Sequence, residues 1–217
     1  MYFQSRQSVG EQLARELAAY AGQPNAVLAL SDGGALVGYP IAQALGAVLT
    51  ILLLEPVEIP GEDATLLNIR EDGKYTYDQM WSTGQLEEFE MEYRTYIEQA
   101  KQQSYSELRH ALGVSCLASS SLLHDKNIFL VSDGLRNGSS FEAAIDFLKP
   151  MPRQKLISIT PLAAADVVDK MRQESDEVHC LSTVDGTFET NHYYTDAAIP
   201  SHGEIVSWIE QGLPKTA

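Results

Sequence analysis

The stretch from Asn127 to Ser140, NIFLVSDGLRNGSS, gathers residue types that hold anions. Ile128, Phe129, Leu130 and Val131 form an apolar run suited to a strand buried on both faces. The turn that follows contains Asp133, Gly134, Leu135, Arg136, Asn137, Gly138, Ser139 and Ser140. Phe141, Ala144, Ile145 and Leu148 then recur at helical spacing, so a helix is expected over 140–148, where the loop ends. A strand, a loop of small residues and a helix N-terminus together point free backbone N–H groups at an anion. Asp133 can accept hydrogen bonds from sugar hydroxyls, and Arg136 can pair with a phosphate. A purely structural alternative stays open: Ser139 and Glu142 would form a capping box, and Asp133 would cap a turn.

A second loop has a similar setting. AVLAL (26–30) reads as a buried strand, and Ser31-Asp32-Gly33-Gly34 turns the chain into a helix carrying Leu36, Val37, Ile41 and Leu45 and ended by Gly46. Neither loop is a dinucleotide fingerprint or a Walker loop, because G-x-G-x-x-G and G-K-[ST] are both missing.

These loops must be positioned by the elements around them. Ser8 with Glu11 predicts a capping box, followed by a helix striped by Val9, Leu13, Leu17 and Tyr20. VLTILLL (48–54) is the next expected strand, completing a βαβ unit. Residues 55–83 break the rhythm, with a hairpin expected around Asp72-Gly73. Leu86, Phe89, Tyr93, Ile97 and Ala100 stripe a long helix whose other face carries Glu87, Glu88, Glu92 and Glu98, read as a solvated face. After residue 126 the alternation returns, with strands at 128–132, 154–160 and 176–182, helices at 140–148 and 163–173, and a last helix near 203–211. The expected fold is α/β: a doubly wound, mainly parallel sheet in one domain over 1–217, with an insertion over 55–110. In such a sheet, ligands bind beyond the carboxyl ends of the strands, which is where both loops lie.

Composition narrows the partners. A net charge of −15 argues against nucleic acid and anionic membranes, which call for a basic face. No apolar run approaches the ~18 residues of a membrane span, and no secretory leader is visible, so a cytoplasmic protein is expected. YFQS (2–5) resembles a remnant of a cleavable tag, but cleavage there would leave only the serine, so Met1 reads as native. Cys116 and Cys180 make neither a metal spacing nor a disulfide framework, which fits a reducing compartment. His124, His179, His192 and His202 are scattered without metal spacing and read as structural. An apolar strip on the helix near 84–103 offers a candidate homodimer face.

The loop at 132–140 resembles the 5-phosphoribosyl diphosphate motif of type I phosphoribosyltransferases, in which an apolar strand leads to two acids, two small or apolar residues and Thr-Gly-x-Thr. The likeness covers nearly the whole chain. F-x-x-R-x-x-x-G-x-x-L-A near the start, LAL-x-x-GG, IAQALGA, IPG, DEVHCLST and YYTDAAIPSHGEI resemble a bacterial group of predicted phosphoribosyltransferases. The resemblance implies a parallel sheet under a hood, a small phosphorylated metabolite as ligand, and Asp133 as the residue closest to the chemistry. Magnesium is implied as well, carried mainly by the ligand.

The departures from that pattern matter. Ser132 and Asp133 stand where the family has paired acids that engage the ribose hydroxyls and the magnesium ion. Asn137-Gly138-Ser139-Ser140 stands for Thr-Gly-x-Thr, leaving the phosphate cradle mostly intact, and Arg136 replaces a small residue. Ser31-Asp32-Gly33-Gly34 replaces Pro-Arg-Gly-Gly in the pyrophosphate loop, and Glu55-Pro56 replaces an Arg-Lys pair. A like charge about 5 Å from the departing pyrophosphate costs roughly 3 kcal/mol at an effective dielectric of about 20. That is on the order of a hundredfold in rate per reversed site. Asp32 as a helix cap would equally exclude pyrophosphate. The expectation is a phosphoribosyltransferase-like protein that binds a phosphorylated ribose or nucleotide, with transfer weak or lost. An active transferase on an unknown base and a non-catalytic interaction scaffold are the alternatives.

Overall fold

The computed structural model describes residues 2–60, 64–112, 120–185 and 189–211. Met1 and Cys116 lie outside the described residues. In chain order the elements begin with α1 (Arg6–Glu16), β1 (Asn25–Ala29), α2 (Asp32–Leu45), β2 (Val48–Ile51), β3 (Leu54–Glu58), β4 (Thr65–Arg70) and β5 (Tyr75–Tyr77). They continue with α3 (Thr83–Glu92), α4 (Arg94–Leu112), α5 (Ser120–Leu123), β6 (Asn127–Val131), α6 (Ser139–Leu148), β7 (Lys155–Ala164), α7 (Ala165–Glu174), β8 (Glu177–Val184) and α8 (His202–Gln211).

Five strands form one parallel sheet in the order β2-β1-β6-β7-β8. Every residue of β1 and β6 is buried, as their apolar runs require of central strands covered on both faces. From β1 the chain crosses through α2 to β2 on one side, and from β6 it crosses through α6 and α7 to β7 and β8 on the other. Right-handed crossovers in opposite directions place helices on both faces, so the sheet is doubly wound. The direction reverses between β1 and β6, and the loops after these two strands sit side by side at the switch point. Phe129 and Phe141 are fully buried in the main core with Leu13, Leu28, Ile41 and Leu162.

The segment inserted between β2 and β6 builds its own layer, a hood. β3, β4 and β5 form a separate antiparallel sheet. Its buried Val57, Ile59, Leu67 and Ile69 pack with Ile97 and Leu108 of α4. The expected hairpin is present as β4 and β5, with Gly73 at φ +79° in the turn.

Four details of the sequence reading are corrected. The strand expected at 48–54 ends at Ile51, and the chain changes sheets before Leu54; the apolar run continues through Leu52 and Leu53 to Leu54, the first residue of β3, and so hides the exchange. The first helix is capped by Ser5, which forms a reciprocal capping box with Ser8 and starts the helix before the expected Ser8–Glu11 pair. The long helix is two helices, because Tyr93 leaves helical geometry (φ −111°, ψ 20°) while the apolar stripe continues across the break. That stripe is not fully exposed: Ile97 is buried in the hood's own core, and Leu86, Phe89, Tyr93 and Ala100 are half-buried against it. No helix among the described residues is long and apolar enough to cross a membrane.

Candidate functional site

A cavity of about 610 Å³ opens at the switch point, lined among others by Arg6, Asp32, Asp133, Arg136, Glu189 and Asn191. Asp133 is among the lining residues, but its carboxylate is engaged within the protein. Arg6 Nε donates to Asp133 Oδ2 at 2.7 Å, and Ser31 Oγ donates to Oδ1 at 3.1 Å. Arg6 is 2% exposed, so the pair is removed from water. Such a pair holds position strongly, because losing either partner strands a buried charge.

Arg6 also donates to Asn191 Oδ1 at 2.5 Å and to the Ala197 carbonyl at 3.2 Å, and it lies 4.4 Å from the centre of the Tyr194 ring. The Tyr194 hydroxyl donates to the Asp133 carbonyl at 2.7 Å. Burial pushes the Tyr194 phenol well above its ordinary range, and the nearby Asp133 charge adds to this. The sequence presents Arg6 and Tyr194 only as parts of longer patterns. Their role shows once the chain brings α1 and the 190–197 segment over the loop. The signal was F-x-x-R, where Phe3 pairs with Tyr194 and Arg6 faces inward one helical turn later.

The loop at 31–34 is closed. Ser31 caps α2 by accepting from the Gly34 amide at 2.9 Å. Asp32, expected as a bare acid or as the cap itself, is the first helical residue, and its Oδ1 lies 2.7 Å from His202 Nδ1. A carboxylate only accepts, so that nitrogen carries the proton. His202, read from sequence as structural, donates this hydrogen bond to the acid facing the cavity. Gly33 and Gly34 are required by packing: a Cβ on Gly33 would fall 2.1 Å from Asp133 Oδ2. Glu55 does not join this site. The cavity is lined by Leu53 and Leu54, and the Glu55 carboxyl is pushed up by burial and by Glu107 of α4.

The loop at 132–140 divides into two halves. In the first, Ser132 Oγ donates to the Gly134 carbonyl at 3.1 Å and accepts from the Gly134 amide, closing a local turn. Leu135 is buried and donates its N–H to Leu162, while its carbonyl accepts from Ala164. Leu135 thus continues the sheet and offers no N–H to a ligand, which corrects its place among the binding residues. Arg136 lies 3.5 Å from the exposed Glu189, a loose pair.

In the second half Gly138 and Ser139 are buried. α6 begins after Gly138 with no side-chain cap, and the Ser139 hydroxyl donates to Asn137 Oδ1 at 3.0 Å. The Ser139–Glu142 capping box is therefore not formed. Glu142 is 5% exposed, pairs with Lys170 of α7, and accepts from the Gln79 amide at 3.0 Å. Lys170 Nζ lies 3.1 Å from where a Cβ on Gly138 would stand, so an ammonium borders the helix start. Among the described residues no group of three or more His, Cys, Asp or Glu is arranged to hold a metal ion.

Over 215 residues, 96% of the chain, the sequence is 25% identical to proteins from two strains of Mycobacterium tuberculosis that carry the name "Putative phosphoribosyl transferase". The chain is phosphoribosyltransferase-like. It spans about half the length, 46%, of those relatives. No family model matches it. Its fold is that of the protein TT1426 from Thermus thermophilus, with a TM-score of 0.73 at 22% identity, covering 99% of this chain and 100% of that one. This phosphoribosyltransferase-like chain has the parallel sheet and switch-point loops expected of the resemblance.

Proposed function

We propose that the protein binds a phosphorylated ribose or a nucleotide through its phosphate at the start of α6, and that transfer from 5-phosphoribosyl diphosphate is weak or lost. The observation that carries this reading is the asymmetry of the two loops. The α6 start has no side-chain cap and has the Glu142–Lys170 ion pair beside it, whereas the α2 start is capped by Ser31 and carries Asp32. An uncapped helix N-terminus is suited to a phosphate; a capped one bearing an acid opposes a pyrophosphate. Asp133 supports the same conclusion, because its carboxylate is held by Arg6 and Ser31. A magnesium ion would enter with the ligand's own oxygens, since Asp133 is paired and Ser132 supplies only a hydroxyl already bonded. A reducing, metabolite-rich cytoplasm fits this role.

Calorimetry with ribose 5-phosphate, nucleoside monophosphates and 5-phosphoribosyl diphosphate, each with and without magnesium, tests the reading. Monophosphates should bind more tightly than the diphosphate donor. Asp32→Arg should improve binding of the donor by about tenfold, on the scale of removing a partly compensated like charge. Equal binding of the donor before and after that change would remove the α2 loop from the site. The kinship to proteins named as transferases favours a second reading, an active transferase. Base-dependent release of pyrophosphate would establish it. Silence with every ligand would leave an interaction scaffold.

A further inference from the structure

A second cavity, of about 340 Å³, lies between α1, α2 and α8. Among the described residues its lining shares only Arg6 with that of the switch-point cavity. Its walls are largely apolar: Leu36 and Tyr39 of α2, Leu49 of β2, and Ile205, Trp208 and Ile209 of α8. Only Ile205 of these six is buried; the other five are half-buried around the space. Two polar side chains join the lining. Gln7 makes no side-chain hydrogen bond among the described residues. Asp196 accepts from Ala198 N at 3.2 Å through Oδ1, and its Oδ2 has no partner among them. Arg6 contributes no free charge, because Asp133 pairs with it.

The segment after Tyr194 is the partition between the two cavities. Ala198 and Pro200 line this one and Ile199, between them, lines the other, so one strip of chain walls both. Arg6 Nη1 donates to the Ala197 carbonyl of that strip at 3.2 Å, while its Nε donates to Asp133. A cavity near the lower end of the range for small-molecule sites takes a body of one or two rings. Tyr39 and Trp208 favour an aromatic face against them. The unpartnered carboxylate oxygen of Asp196 opposes an anion and calls for a donor, and the apolar walls would desolvate a full positive charge at a cost. We propose that this cavity is a second ligand site, for a neutral planar aromatic molecule bearing an N–H donor, and that filling it is felt at the switch-point cavity through the 196–200 partition. The proposal does not depend on a phosphate at α6.

The probes are indole and benzothiophene, which has the same shape without the N–H, titrated into the ¹⁵N-labelled protein and followed by NMR. The Nε1–H signal of Trp208 and the Nε–H signal of Arg6 should shift together and saturate with indole, while Trp81, bonded to Thr65 in the hood, stays still. Ala198 is exposed on its outer side, so Ala198→Phe should fill the cavity without unfolding the chain, and should abolish both shifts. Trp208→Leu, read at Arg6, should weaken both probes at least fivefold. Asp196→Ala should weaken indole at least fivefold and leave benzothiophene within twofold, because only indole loses a hydrogen bond. No shift at Trp208 with millimolar probe, or shifts that survive both Ala198→Phe and Trp208→Leu, would overturn the site. Equal losses of the two probes in Asp196→Ala would overturn the ligand class. A saturating shift at Trp208 with Arg6 unmoved would overturn the link to the switch-point cavity.

Discussion

The α2 and α6 N-termini start from neighbouring strands of one sheet, and both follow a loop of small residues. They differ in what the protein itself supplies to them. At α2, Ser31 takes the Gly34 amide, His202 takes Asp32, and Gly33 is pressed against Asp133. At α6, Gly138 supplies no side chain, and Lys170 and Glu142 meet beside it as an ion pair. The lesson is that a loop's composition announces donors, but internal acceptors decide whether those donors remain for a ligand.

The comparison breaks most severely if Arg6 is removed. Arg6→Ala should destabilise the protein by about 3–5 kcal/mol, because Asp133 would be left buried and unpaired. Urea unfolding measures this, and Arg6→Lys should rescue little, since one ammonium cannot reach Asp133, Asn191 and Ala197 together. A loss below about 1 kcal/mol, the level of an exposed pair, would mean that the α2 side is not closed as described.

A smaller pair of changes sharpens the contrast. Ser31→Ala should cost about 1 kcal/mol through loss of the α2 cap. Ser139→Ala should cost less than about 0.5 kcal/mol, because its hydroxyl caps nothing. Equal losses in denaturation would erase the distinction between the two helix starts.

The smallest effect concerns pH at the hood. Burial raises the folded-state pKa of Asp78 above its unfolded value, so the native state binds that proton more tightly. Its ionisation therefore weakens the fold at neutral pH, and the penalty fades as pH falls through the raised pKa. Asp78→Asn should be more stable than wild type at neutral pH by less than about 1 kcal/mol, and equal to it below the ordinary carboxylate range. Parallel denaturation midpoints at the two pH values check the sign.

The sheet was legible because buried runs such as IFLV and turn signals such as Asp72-Gly73 are local. The change of sheet between Ile51 and Leu54 was not, since the apolar run VLTILLL continues without a turn signal across the break. The two candidate loops were found from their residues, but their occupants were not. His202 reaches Asp32 across 170 positions and Arg6 reaches Asp133 across 127, separations that no spacing rule encodes. The capping box offered by Ser139 and Glu142 does not form for a related reason: Glu142 is taken instead by Lys170 of α7 and Gln79 of the hood, both distant in sequence.

The knot of contacts around Arg6 also sets a timetable for synthesis. Arg6 leaves the ribosome before its acceptors at Asn191 and Ala197, which follow 185 and 191 residues later. The β1–β6 pairing can close once Val131 has emerged, while Arg6 still lacks two of its partners. Contacts of such long separation form late, after the loops they close have lost their freedom. During translation the sheet can be largely assembled while Arg6 and Asp133 await Tyr194 and its neighbours. A nascent chain stalled before residue 190 would thus carry the frame of the protein with its cavity unfinished and its most buried charges still wet.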